Sequence, residues 1–285
     1  MTAASVVAPG TAATAGGTRP GGGGGRLGWV VQDAVTVTGR NLLHYVRIPG
    51  SLVFSGIQPI MFVLLFRYVF GGAINLRGPS PVAYHSYANY LIPGIFVQTV
   101  TFGAVATAIG LADDLQKGLV ERFRALPMAR SALLAGRTLA DLVRNVFVVV
   151  LITGVGYAVG FRVQTNVGAF LAGLLLILLF AYALSWGFAV IGLSAPDSET
   201  AQVMAFPILF PLTFASSAFV PVQDMPGWLQ GFASHQPISV EVATARALML
   251  GGPTATDLWQ SLAWSLGLLV VLIPLAVSRY RRRAS

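Results

Sequence analysis

Apolar positions in this chain run in long unbroken blocks, and the polar positions gather between them. A globular core would spread its apolar residues at helix or strand period. Blocks long enough to cross a hydrocarbon layer about 30 Å thick, at about 1.5 Å per residue, mark membrane helices instead. Six segments qualify, at residues 51–70, 90–111, 145–161, 167–193, 201–222 and 259–277. The third is the shortest. The expected fold is therefore an all-α membrane protein with a six-helix transmembrane domain over residues 51–278.

The segments between these blocks have patterns of their own. Residues 1–25 are rich in Ala, Thr and Gly, end in the run Gly21 to Gly25, and read as a disordered tail on the cytoplasmic side. Residues 26–50 read as an amphipathic interfacial helix, because Asp33, Thr36, Arg40, His44 and Arg47 recur at helical spacing, away from Leu27, Val30, Val31 and Val46. Pro49 and Gly50 mark its end. The loop 112–144 is the most charged stretch. It holds the apolar set Leu119, Val120, Phe123 and Leu126, spaced as one face of a short helix. Residues 223–258 are too long and apolar for a plain connector. They are expected to form short re-entrant helices on the outer side, with Trp228 as an interfacial anchor and a helix from Pro237 stopped by Gly251 and Gly252.

Charge sets the orientation. Arg19, Arg26, Arg40 and Arg47 precede the first span. Lys117, Arg122, Arg124, Arg130, Arg137 and Arg144 lie in the second loop, and Arg279 with Arg281 to Arg283 lie in the tail 279–285. With six spans all of these fall on one side, against Arg77, Arg162 and Arg246 on the other, which puts both termini in the cytoplasm. The net charge of +8 is thus topology signalling and not a nucleic-acid footprint. Hydrophobic residues make up 55% of the chain and charged ones 10%, against about 25% in soluble domains. Lipid is the main solvent.

Several chemistries are excluded. There is no cysteine, hence no disulfide, thiolate metal site or Cys nucleophile. Lys117 is the only lysine and Gln116 precedes it, so no phosphate-binding G-x-x-x-x-G-K-[ST] loop exists. No cofactor or metal is expected in this chain; His44, His85 and His235 are far apart. Arg67 is the only charge expected inside a span, and no acid is expected there to relay protons. Energy for any transport has to come from a partner.

The run Tyr90-Leu-Ile-Pro-Gly-Ile and the later run from Ala112-Asp-Asp-Leu-Gln-Lys-Gly-Leu-Val-Glu-Arg-Phe-Arg-Ala-Leu-Pro-Met to Ala-Arg-Ser resemble the signature of ABC-2 type transporter permeases. The branch they resemble is that of the daunorubicin/doxorubicin resistance permeases. The outer segment from His235-Gln-Pro-Ile-Ser to Ala245-Arg-Ala-Leu-Met-Leu-Gly-Gly is similar to that branch and to its lipid-exporting members. The resemblance implies a permease subunit in a bacterial plasma membrane that exports a hydrophobic drug or lipid. It implies two copies of a separate ATP-binding subunit, which hold Mg-ATP, and a second permease, identical or homologous.

It also implies that the loop 112–144 is a coupling helix seated on the ATPase, through Asp113, Asp114, Lys117, Gly118, Glu121, Arg122, Arg124, Pro127 and Arg130. Gln116 stands where the pattern often has an acid. The export path would be lined by the first, second and fifth spans, which carry Gln58, Gln98, Thr101, Phe102, Phe206, Phe210 and Phe214. A cell-envelope polysaccharide precursor is the alternative cargo, and a non-transporting membrane scaffold the alternative class.

Overall fold

The computed structural model describes residues 49–71, 86–118, 132–253 and 255–283. The tail 1–25 and nearly all of the segment 26–50 lie outside the described residues. Helices account for almost all of the rest, with no strand among the described residues. They are α1 (Pro49–Leu64), prolonged by a π-helical turn at Leu65–Phe70, then α2 (Tyr87–Gln116), α3 (Ala132–Ala158), α4 (Val167–Ser194), α5 (Ser198–Phe214), α6 (Gly227–His235), α7 (Pro237–Leu250) and α8 (Ala255–Arg283). Helices are the open-ended structure that satisfies its own backbone in lipid.

Polar contacts fix the direction of each helix. At one end the Tyr87 hydroxyl donates to the Phe219 carbonyl (3.3 Å), the Arg162 amide donates to Asn89 Oδ1 (2.9 Å), and the Thr165 hydroxyl donates to the Leu248 carbonyl (2.6 Å). The Arg67 guanidinium at the end of α1 reaches the Val159 carbonyl there as well. At the other end Arg137 meets Asp114 and Arg279 meets Ser194. Thus α1, α2, α3, α4, α5 and α8 cross the bundle in alternating directions, with α6 and α7 inserted at the first end.

Helix starts follow side-chain chemistry. The Asn89 amide donates to Ser86 Oγ, the Ala169 amide to Asn166 Oδ1 and the Thr200 amide to Asp197 Oδ1, each satisfying a donor that the first helical turn leaves free. The Thr200 bond holds the Asp197 carboxyl below the usual carboxylate range.

Four helices contain stretches long and apolar enough to cross a membrane, at Tyr87–Gln116, Leu134–Ala158, Val167–Ser194 and Thr256–Arg282. The two other elements that run along the bundle are shorter. Gly56–Phe70 is a short apolar helix, and α5 has 17 residues, or about 26 Å at 1.5 Å per residue.

Two sequence expectations are corrected. The block 145–161 is only part of α3, which starts at Ala132, because the segment before residue 145 joins the same helix despite its charges. Asp141 and Arg144 therefore lie within a membrane-length helix, buried at 1% and 7% exposure. Arg67 is consequently not the only charge inside such a helix, and an acid is present there too.

Lipid gives no hydrophobic drive between helices, so close fit holds them together. α2 is the central helix, packed on α3, α4, α5 and α7, and α4 packs in turn on α8. Gly192 of α4 lies directly against the backbone of Ala108 on α2, where a Cβ would collide with the Ala108 carbonyl. Buried apolar side chains of α2, α3, α4 and α7 form the largest core, around Leu91, Ile95, Phe96, Ile152, Ile177 and Phe180.

Candidate functional site

Two regions hold the residues singled out in the sequence: the ends of the helices on either side of residues 119–131, and a polar cleft that adjoins a run of phenylalanines. The first is built where α2 ends. Lys117 caps that helix, and Gly118 follows with φ of 64°, a left-handed conformation that glycine adopts without the strain a Cβ brings. Asp113 accepts from Lys117 Nζ at 2.7 Å across one turn, which raises the lysine's pKa above its usual value. Asp114 accepts from Arg137 of α3 at 2.9 Å, tying the two helices that flank the loop. Glu121, Arg122, Arg124, Pro127 and Arg130 lie outside the described residues.

The cleft opens between α1, α2 and α3. It has a volume of about 180 Å³, and its lining includes Gln58, Gln98, Thr99, Phe102, Arg144 and Asn145. Arg144 points across to α2, where it donates to the Gly103 carbonyl at 2.6 Å. That approach depends on the missing side chain, since a Cβ on Gly103 would sit 2.9 Å from both the Arg144 guanidinium and Asn145 Oδ1. Asp141, one turn back on α3, stands 3.7 Å from Arg144 and accepts from the Thr107 hydroxyl. A charge buried inside a helix bundle is costly unless paired and hydrogen-bonded, and this pair is both.

Other polar atoms at the cleft are not satisfied. Gln98 Oε1, Thr99 Oγ1 and Asn145 Nδ2 are buried and lack a hydrogen-bond partner. Their residues are 1%, 8% and 3% exposed. A buried amide or hydroxyl left without a partner costs about 1–3 kcal/mol, and three such atoms belong to residues that line this one cleft.

Phe102 joins this polar cleft to an aromatic run. Its ring meets Phe210 edge-on at 5.9 Å. Phe210 neighbours Phe206 at 5.3 Å and stacks on Phe214 at 5.6 Å; Phe214 stacks on Phe219 at 5.6 Å, and Phe219 on Phe66 at 4.4 Å. Phe210 and Phe214 are 45% and 44% exposed, so this run forms a surface and not only a core.

Of the path residues read from sequence, Gln58, Gln98 and Phe102 line the cleft, and Phe206, Phe210 and Phe214 lie along the run. Thr101 lies outside the cleft lining. It is buried and donates to the Val97 carbonyl of its own helix at 2.7 Å. Asp141 and Arg144 fall within the charged loop 112–144 of the sequence reading, and Asn145 opens the third span, which the resemblance does not assign to the path. The helical spacing of Arg137, Asp141 and Arg144 was the available signal. Phe66 and Phe219 sit in the sequence as ordinary apolar residues.

The end of the bundle that holds α6 and α7 has a buried charge of its own. Arg246 of α7, 4% exposed, donates to the carbonyls of Tyr90 (2.9 Å), Ser217 (2.8 Å) and Ala218 (3.1 Å). Its guanidinium stands 3.6 Å from the Tyr90 ring centroid.

Comparison with known proteins gives the same direction as the resemblance of the motifs. The family model described as ABC-2 type transporter matches residues 32–250. A daunorubicin resistance ABC transporter permease protein of Streptomyces coeruleorubidus is 32% identical over 253 residues, covering 89% of this chain and 87% of that protein. A probable doxorubicin resistance ABC transporter permease protein of Mycobacterium tuberculosis is 26% identical over 260 residues, 90% of each. A putative transport permease of Porphyra purpurea is 25% identical over 76% of this chain and 74% of its own length.

Proposed function

The chain belongs to the ABC-2 type transporter family, and we propose that this multi-pass permease subunit exports a hydrophobic drug or lipid-like amphiphile from a bacterial cell. It has no nucleotide loop of its own. Two copies of an ATP-binding subunit, holding Mg-ATP, drive it from the cytoplasmic side. A second permease, identical or homologous, completes the path. Both termini are cytoplasmic, and α1 and α5 count as crossings together with the four longer helices. Their alternating directions in the bundle support that count.

The observation that carries the choice of cargo is the junction at Phe102. There a cleft with unsatisfied polar groups meets a run of phenylalanines, an arrangement suited to a molecule with one polar and one apolar part. The names of the relatives, resistance permeases for daunorubicin and doxorubicin, point to the same kind of cargo.

Coupling runs through residues 112–144. Asp113, Asp114, Lys117, Gly118, Glu121, Arg122, Arg124, Pro127 and Arg130 form the contact with the ATPase. The Asp114–Arg137 pair makes the two flanking helices move together when that contact is pushed. The experiment is copurification of the permease with a nucleotide-binding subunit, followed by efflux assays on Glu121→Lys and Gly118→Pro. Both variants should keep the complex and lose ATP-dependent efflux. Intact efflux in both would remove the coupling assignment.

A further inference from the structure

The size and charge of the cleft between α1, α2 and α3 say more about the cargo than the family does. At about 180 Å³ it is smaller than the roughly 300–1,000 Å³ of sites that enclose a drug-sized ligand. It can hold one polar end and no more. The apolar remainder has a surface beside it, since Phe102 belongs both to the cleft and to the run through Phe210 and Phe214.

The charge balance then selects the kind of polar end. Arg144 is the cation in the cleft lining, and its guanidinium is engaged by the Gly103 carbonyl and by Asp141. An anionic headgroup would have to compete with a carboxylate already in place. A cationic one would face Arg144 itself. The unsatisfied groups are instead an amide oxygen (Gln98 Oε1), a hydroxyl (Thr99 Oγ1) and an amide N–H group (Asn145 Nδ2). This set is complementary to an uncharged group that both donates and accepts hydrogen bonds.

We propose that the cleft is the subsite for the uncharged, hydroxyl-bearing end of an amphiphilic cargo, with Gln98, Thr99 and Asn145 as its hydrogen-bonding partners and the phenylalanine run carrying the apolar part. The assignment rests on the export reading for its biological meaning, but binding can be measured apart from export.

The test uses the full-length permease with its ATPase subunit in phosphatidylcholine nanodiscs. Two fluorescent probes with the same acyl chains are titrated, a neutral glucosyl diacylglycerol and an anionic phosphatidate. The neutral probe is expected to bind at least tenfold tighter. Thr99→Val, which is close to isosteric, and Asn145→Leu should each weaken it about five-fold and leave the anionic probe unchanged. Thr153→Val, whose hydroxyl bonds to the Val149 carbonyl of its own helix, serves as the control for folding and should have no effect.

Equal binding of the two probes, tighter binding of phosphatidate, or wild-type affinity in Thr99→Val overturns the subsite. ATP-driven translocation of the neutral probe is assayed separately in proteoliposomes. Selective, Thr99-dependent binding without translocation would remove the export reading and keep the subsite. Translocation that ignores Thr99 would do the reverse.

Discussion

Arg144 of α3 donates to the carbonyl of Gly103 on α2 at 2.6 Å, so a cation buried in the helix bundle is held by a position that carries no side chain. Any Cβ at residue 103 falls 2.9 Å from the guanidinium and from Asn145 Oδ1. Gly103→Val should therefore push both side chains out of place, at a cost on the order of 1–3 kcal/mol for overpacking. Thermal melting in detergent reads this as a lower transition temperature. A melt equal to wild type would mean that Arg144 has another place to go.

Breaking the buried ion pair should cost more than replacing it. Arg144→Met removes the guanidinium beside buried Asp141, to which the Thr107 hydroxyl still donates, and one-sided loss of a buried pair costs about 3–5 kcal/mol. Adding Asp141→Leu to Arg144→Met should recover a large part of that. A double-mutant cycle on melting temperatures gives the coupling; additive losses would show that the 3.7 Å pair contributes nothing.

At the end of the bundle that holds α7, Arg246→Met should take this donor from the Ala218 carbonyl and one of two donors from the Ser217 carbonyl, which keeps the Tyr90 hydroxyl, at about 1–3 kcal/mol for a group left unsatisfied. Arg246→Lys should rescue only part, because a compact ammonium on a flexible stem does not reproduce a fork that reaches three carbonyls and covers the Tyr90 ring. Fluorescence-detected size exclusion, which separates folded from aggregated protein, is the readout.

The Asp114–Arg137 pair is only partly buried, and its effect on stability should stay below about 1 kcal/mol. Its effect on coupling should be larger. Asp114→Arg and Arg137→Asp are each expected to reduce ATP-driven transport by more than half, and the swapped double variant to restore most of it. Transport that is equally poor in the double variant would show that the residues act separately.

The sequence made the class of this protein legible because insertion into lipid is decided locally. Whether a block of residues prefers hydrocarbon depends on its own transfer free energy, so the block 167–193 in the sequence reappears as α4 with little change. The helix from Pro237, with its proline start and glycine stop, was also legible. Its surroundings were not. All but three of its fourteen residues are buried against other helices, and a sequence pattern does not tell a helix lying on a membrane from one inserted among its neighbours.

The least legible feature was α3. Arg137, Asp141 and Arg144 look like loop residues when read by hydropathy, because the cost of a charge in lipid is counted without its partners. The partners are Asp114, Thr107 and the Gly103 carbonyl, which α2 supplies from a distance along the chain.

The amino-acid sequence by itself determined a membrane-embedded helical chain, its lack of a nucleotide loop and its membership of a permease family. Only the tertiary structure decided that α3 begins before its charges, that Gln98, Thr99 and Asn145 share one cleft, and that Phe102 joins that cleft to Phe210 and Phe214. The physical reason is that hydropathy sums over neighbours in sequence, whereas the satisfaction of a buried polar group and the stacking of two rings depend on which helices are neighbours in space.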